Sequence, residues 1–63
     1  SLSQQETKVL QLVAEGHTNK EVAEEMKLSG NTVKNYLRSV FDKLKIRRRS
    51  QATAVWLENK HGK

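Results

Sequence analysis

Apolar residues between positions 32 and 44 recur at the spacing of a single helix face. They follow an i, i+3, i+4, i+7 pattern along the whole stretch and are Val33, Tyr36, Leu37, Val40, Phe41 and Leu44. The opposite face carries Lys34, Asn35, Arg38 and Ser39. The pattern predicts an amphipathic helix with one face for a core and one cationic, amide-bearing face that suits a nucleic-acid groove.

Two capping boxes predict where two earlier helices begin. Ser3 with Glu6, and Thr18 with Glu21, place a hydroxyl side chain three residues before a glutamate. Gly16 is a natural stop for the first of these helices. Their apolar faces are Val9, Leu10, Leu12 and Val13 in the first helix, and Val22, Ala23 and Met26 in the second.

A short break at residues 28–30 and a basic connector at residues 46–49 bound the third helix. Ser29 is expected to cap this helix, which runs to about Lys45. Ser50 is expected to cap a fourth helix, whose apolar positions are Ala52, Val55 and Trp56. The last two residues, Gly62 and Lys63, are expected to fray.

Four helices joined by short links must pack against their neighbours, which predicts an all-α fold. The second and third helices match a helix-turn-helix, with the third as the recognition helix. Ala23 is small enough to let the two helices pack closely where they cross, and Leu28 is expected to fill the space under the turn between them. We therefore expect residues 1–63 to form a single four-helix domain.

Composition excludes several classes of protein. The 63 residues include no cysteine and two widely separated histidines, His17 and His61, so we predict neither a disulfide nor a metal or other cofactor. No apolar run is long enough to span a membrane and no signal-peptide pattern is present, so we expect a cytoplasmic protein without membrane contact. The chain begins with Ser rather than Met, and we expect it to be a fragment of a longer protein.

The net charge of +5 is unevenly distributed along the chain. Residues 1–28 contain three lysines against five glutamates, whereas residues 29–63 contain nine Lys/Arg against Asp42 and Glu58. Such asymmetry is typical of a surface that binds a polyanion, although a merely solvated basic surface is the alternative.

The polar face of the third helix carries side chains that suit base edges. At about 100° per residue, Asn31, Lys34, Asn35 and Arg38 cluster on the side away from the apolar stripe. Arg and Lys donate to guanine O6 and N7, and Asn pairs with adenine N6 and N7. These four residues are the candidate base readers.

Other polar residues are candidates for contact with phosphates. Thr18, Asn19 and Lys20 open the second helix, where free N–H groups and the helix dipole favour an anion. Beyond the third helix, the cationic surface continues through Lys43, Lys45, Arg47, Arg48 and Arg49. Of these, we expect Lys43, Arg47 and Arg48 to meet phosphates.

Nearly the whole chain resembles the LuxR/NarL/FixJ (GerE-like) family of helix-turn-helix DNA-binding effector domains. The resemblance is specific because it rests on seven ordered blocks rather than on one motif. The blocks are Leu2-Ser3-x-x-Glu6, Val9-Leu10, Ala14-Glu15-Gly16-x-Thr18-Asn19-Lys20-Glu21-Val22-Ala23, Leu28-Ser29, Thr32-Val33-Lys34-Asn35-Tyr36, Lys43-Leu44 and Arg49-Ser50-Gln51-Ala52.

The resemblance implies the C-terminal output domain of a bacterial transcription regulator of the response-regulator or quorum-sensing type. Its expected partners are double-stranded DNA, a second copy of the chain and RNA polymerase, with a receiver or ligand-binding domain before Ser1. The family's base-reading positions fall on Lys34, Asn35 and Arg38. Its backbone-contacting positions fall on residues 18–20 and around Thr32. Its last helix carries a dimer contact, for which Leu57 is the candidate, and Arg49 is expected to be partly structural.

Other interpretations fit the pattern less well than DNA binding does. A helical interaction module that docks an acidic partner fits the charge, but such a binder should leave an apolar groove uncovered. RNA binding is disfavoured because Tyr36 and Trp56 fall on apolar stripes and leave no aromatic platform. An enzyme is not expected, since no catalytic constellation or phosphate loop is present. Glu6 is expected to cap the first helix or to pair with Arg49, and His17 to be exposed or to contact phosphate.

Overall fold

The chain folds into four helices joined by short turns. The computed structural model describes the backbone of residues 2–61 and the side chains of residues 2–58, and this part of the chain contains no strand. The helices are α1 (Gln4–Ala14), α2 (Asn19–Met26), α3 (Gly30–Leu44) and α4 (Arg49–His61). The predicted all-α fold is confirmed. Gly62 and Lys63, which were expected to fray, lie outside the described residues.

Hydroxyl side chains cap the first three helices, as their spacing predicts. Ser3 Oγ accepts a hydrogen bond from the Glu6 N–H at 3.1 Å, and Thr18 Oγ1 accepts one from the Glu21 N–H at 3.1 Å. Both glutamates return the bond to the backbone of the capping residue, which completes two capping boxes. Ser29 Oγ accepts from the Thr32 N–H at 3.1 Å and caps α3.

The start of α4 differs from the prediction. Ser50 was expected to cap this helix, but the helix begins one residue earlier, at Arg49. The side chain of Gln51 replaces the expected cap, because its Oε1 accepts from the N–H groups of Arg47 and Arg48 at 2.8 and 3.0 Å. An amide in the first turn therefore accepts from the backbone just before the helix, as the glutamate of a capping box does.

Three helices end with the same left-handed turn. The residues at these ends are Gly16, Lys27 and Lys45, with φ angles of 97°, 59° and 58°. After each of them the next N–H bonds back to a carbonyl five residues earlier, as from Leu28 to the Ala23 oxygen at 2.8 Å. Glycine adopts this conformation without steric strain, whereas in the two lysines the Cβ atom makes it unfavourable.

The core lies where α1 meets the other helices. Its buried residues come from all four helices, and α4 packs mainly against α1 while α2 packs mainly against α3. They are Val9, Leu10, Leu12, Val13, Val22, Ala23, Val33, Leu37, Val40 and Ala52. Tyr36 and Trp56 are partly buried against this cluster, which confirms that both aromatic side chains serve packing.

The buried side of α3 leaves its other side free to hold a ligand. Val33 and Val40 are fully buried and Leu37 is nearly so, which prevents the helix from turning about its axis. The polar positions between them therefore face outward in a fixed orientation. None of the helices in the described part of the chain is both long and apolar enough to cross a membrane.

Candidate nucleic-acid interface

A tight turn sets the geometry between α2 and α3. The left-handed Lys27 reverses the chain, half-buried Leu28 packs against the core, and Ser29 immediately caps α3. Ala23 is only 8% exposed on the side of α2 that packs toward α3. The two helices thus form the helix-turn-helix that the sequence predicts, with α3 as the element that presents its outer face.

The four candidate base readers lie together on the outer face of α3. Asn31, Lys34, Asn35 and Arg38 are all exposed, and all four line one open groove. Asn19, at the start of α2, lines the same groove. None of the four uses its side chain in a hydrogen bond or ion pair with another side chain of residues 2–58. Their donors and acceptors are therefore available to a ligand.

The floor of this groove is apolar. It consists of side chains from α3 and from the connector to α4, namely Leu37, Phe41 and Ile46. Polar groups that surround an apolar floor suit the major groove, where base edges offer hydrogen-bonding atoms beside the thymine methyl group.

The candidate phosphate contacts at the start of α2 and α3 are partly engaged within the protein. The hydroxyl oxygens of Thr18 and Thr32 both take part in cap hydrogen bonds, Thr32 through a 2.9 Å contact with Ser29 Oγ. Lys20 is exposed on the first turn of α2, next to Asn19. A phosphate there would meet the ammonium group of Lys20 and the free N–H groups of the helix start.

Arg49 joins the start of α4 to the start of α2. Its Nη1 donates to Asn19 Oδ1 at 2.7 Å, and its Nη2 donates to the carbonyl oxygen of His17 at 2.8 Å. The expectation that Arg49 is partly structural fits this contact. The alternative pairing of Arg49 with Glu6 is wrong, because the guanidinium group is committed to His17 and Asn19. Arg47 and Arg48 remain exposed beside it.

Glu6 links α1 to α3. Its side chain is 7% exposed and accepts hydrogen bonds from Ser3 N–H at 2.9 Å, from Ser39 Oγ and from Lys43 Nζ at 2.8 Å. The interpretation of Glu6 as a capping residue is confirmed, but its charged partner is Lys43. A phosphate contact by Lys43 stays a prediction, since the side chain is 45% exposed yet already paired.

These hydrogen bonds change the acidity of Glu6. The bonds from Lys43, from the Ser3 backbone and from Ser39 lower the pKa of the carboxyl from 4.5 to about 2, against the opposing effect of burial. In α2, the hydrogen bond from the Thr18 N–H is the main cause that lowers the pKa of Glu21. Both carboxylates are therefore charged at neutral pH and accept the backbone hydrogen bonds of their capping boxes in that form.

His17 lies between two glutamates ahead of α2. Its Nδ1 is 3.6 Å from Glu21 Oε1 and its Nε2 is 3.8 Å from Glu15 Oε1, with 41% of the side chain exposed. Within the described residues no group of three or more metal-ligating side chains comes together. The side chain of His61 lies outside them.

Comparison with known proteins decides which family shares this arrangement. The family described as bacterial regulatory proteins, luxR family, matches residues 1–56. The chain belongs to this family. The luxR-family match spans all of α1, α2 and α3 and the first half of α4, and so includes the whole helix-turn-helix.

Individual relatives are transcription regulators. The chain is 42% identical over 62 residues to the probable HTH-type transcriptional regulator GfsR of Streptomyces halstedii, and 41% identical over 61 residues to the transcriptional regulatory protein LiaR of Bacillus subtilis. It is also 42% identical over 62 residues to the DNA-binding transcriptional activator DevR/DosR of Mycobacterium tuberculosis. These matches cover 98%, 97% and 98% of this chain but only 26%, 28% and 29% of those proteins.

Membership in the luxR family identifies the type of domain that α1–α4 form. The chain is a helix-turn-helix domain of the luxR family of bacterial regulatory proteins, a family of regulators rather than enzymes. It spans roughly a quarter of the length of the relatives named above.

Proposed function

We propose that this domain binds double-stranded DNA in a sequence-specific manner, with α3 in the major groove. The observation that carries the proposal is the common groove shared by Asn31, Lys34, Asn35 and Arg38, four exposed side chains without partners among residues 2–58. In this mode the two cationic side chains donate to guanine, and the two amides pair with adenine.

Contacts with phosphates would hold the helix in register. We assign them to residues at the starts of α2 and α3, in the last turn of α3 and in the connector to α4, which are Thr18, Asn19, Lys20, Thr32, Lys43, Arg47 and Arg48. The excess of positive charge after residue 28 supports this assignment, because neutralised phosphates supply most of the sequence-independent affinity for DNA. Lys43 would have to share its ammonium group between a phosphate and Glu6.

We further propose that two copies bind paired half-sites through a contact on α4. Leu57 supports this assignment, since it is a large apolar side chain that is 48% exposed on that helix. Half-sites about 34–36 Å apart would place both copies on one face of the duplex. The domain would act as the output part of a longer regulator, since its relatives are named as a transcriptional regulatory protein and a DNA-binding transcriptional activator. The proposal includes a cytoplasmic location and a contact with RNA polymerase.

The proposal predicts that alanine variants of the groove lose affinity without losing stability. Lys34→Ala and Asn35→Ala should each weaken binding to a selected duplex site by about 1–3 kcal/mol, because each removes hydrogen bonds to a base edge. Both side chains are exposed, so the thermal unfolding midpoint should stay nearly unchanged. Fluorescence anisotropy with a labelled duplex and thermal unfolding by circular dichroism measure the two quantities.

A variant outside the groove provides the control. Lys8→Ala removes the same charge as Lys34→Ala, but Lys8 lies exposed on α1 and does not line the groove. It should change the affinity much less than Lys34→Ala does. Equal losses in the two lysine variants, or wild-type affinity in the groove variants, would show that the base-reading face is assigned wrongly.

A further inference from the structure

The polar face of α3 carries one residue of the wrong charge for a phosphate. Asp42 is exposed and lines the same groove as the four candidate base readers, where it is the single carboxylate. At about 100° per residue, it lies within about 20° of Asn31 and Asn35 and about 40° of Arg38 around the helix. Asp42 therefore extends the base-facing stripe by one turn, about 6 Å beyond Arg38.

Nothing in the described part of the protein neutralises this carboxylate. The ion pairs formed by residues 2–58 involve Glu6, Glu15 and Glu21, and none of their side-chain hydrogen bonds reaches Asp42. Arg38 lies one turn earlier, but its guanidinium group is not paired with Asp42. The acidic group is thus neither a cap nor part of a structural ion pair.

A bare carboxylate on a docking face restricts the DNA that the face accepts. It has no donor, and it repels both phosphates and the acceptor atoms of guanine and thymine edges. The major groove offers it two donors, the N4 amino group of cytosine and the N6 amino group of adenine. Adenine N6 adjoins the acceptor N7, which would repel the second carboxylate oxygen, so cytosine is the better match.

We propose that Asp42 is a specificity-determining residue that accepts a hydrogen bond from cytosine N4 at the base pair next to the one read by Arg38. The proposal rests on the proposed mode of DNA binding by α3. Sites without a donor at that base pair are disfavoured, because they leave the carboxylate desolvated and unpaired. The residue thereby lowers affinity for most sequences and raises the contrast between specific and random DNA.

Selection from a random duplex library tests this role directly. The 63-residue wild-type chain should enrich sites with cytosine at one position, by about tenfold over the other bases. Asp42→Ala should lose the preference at that position alone, and Asp42→Asn should shift it from cytosine to adenine, because an amide pairs with adenine N6 and N7. Both variants should also bind unselected duplex more tightly than wild type does.

The control is Glu58→Ala, which makes the same change of net charge on α4. Glu58 is exposed and does not line the groove, so its variant should keep the wild-type sequence preference. Unchanged preferences in both Asp42 variants would overturn the proposal. So would a loss confined to the base pair whose preference Arg38→Ala also removes, since Asp42 would then act through Arg38. If wild type enriches no sequence, DNA recognition by α3 fails as well.

Discussion

At the residue scale, Glu6 is the side chain on which most of the buried polar structure depends. It closes the cap of α1 and also binds Ser39 and Lys43 on α3, so one carboxylate fixes the relative position of two helices. Asn35 lies one turn before Ser39 on the same helix. The orientation of the base-reading face is therefore linked to Glu6, which lines a shallow pocket together with Asn35 and Ser39.

The low pKa of Glu6 predicts that this link weakens in acid. A carboxyl with a pKa of about 2 in the folded chain and 4.5 in the unfolded chain stabilises the fold fully above about pH 5. That stabilisation should disappear progressively as the pH falls from about 5 toward 2. Glu6→Gln should therefore lower the thermal unfolding midpoint at pH 7, and the difference from wild type should shrink toward pH 2.

A surface carboxylate supplies the comparison for this pH series. Glu25 is exposed on α2 and takes part in none of the ion pairs found among residues 2–58. Glu25→Gln should follow the wild-type midpoint across the series. A Glu6→Gln variant that stayed a constant interval below wild type from pH 7 to pH 2 would refute the assigned pKa.

Residue identity alone could not predict the partners of Glu6. The capping role is readable because Ser3 and Glu6 are three positions apart. Ser39 and Lys43 lie 33 and 37 residues further along the chain, and only the packing of α1 against α3 brings them to the carboxylate. The same limit explains why the sequence does not assign Arg49 to Asn19 rather than to Glu6, since 30 residues separate Arg49 from Asn19.

At the scale of elements, the starts of helices were more predictable than their ends. Ser3, Thr18 and Ser29 cap their helices through hydrogen bonds to residues three positions away. Such bonds can be predicted from a short stretch of sequence. The start of α4 depends instead on the reach of the Gln51 side chain. At the ends, Lys27 adopts a left-handed conformation that its side chain disfavours, and no residue type marked it in advance.

The two left-handed lysines predict that glycine would stabilise the domain. Lys27→Gly and Lys45→Gly should each raise the free energy of unfolding by about 0.5–1 kcal/mol, because glycine adopts a positive φ without a clash. For a domain of this size, that corresponds to a rise of several degrees in the thermal unfolding midpoint. Chemical denaturation with guanidinium chloride measures the free-energy change.

The matching turn after α1 supplies the reverse substitution. Gly16 has the same handedness, and a Cβ atom at that position would meet no neighbour within 4 Å. Gly16→Ala should therefore destabilise the domain by about 1 kcal/mol through the backbone alone. If glycine lowered stability at both lysine positions, the left-handed turns would have to be stabilised by contacts of the lysine side chains.

At the scale of the whole molecule, charge is divided between two parts of the chain. The first 28 residues carry a net negative charge and contribute α1 and α2, whereas the remainder is strongly positive and contains α3. The apolar residues of α3 pack in or against the core, although Leu37 and Phe41 also line the groove, so its outer face carries mainly polar and basic side chains. This arrangement suits a rigid duplex better than an amphipathic peptide.

The salt dependence of binding to duplex DNA tests this account most directly. We expect the chain to bind labelled random duplex at low salt. The logarithm of the association constant should fall linearly with the logarithm of the salt concentration, with a slope of about −0.9 for each phosphate contact. Lys20→Ala should reduce the magnitude of that slope by about 1. Failure to bind any duplex at low salt, together with binding to an acidic polypeptide such as polyglutamate, would contradict the account.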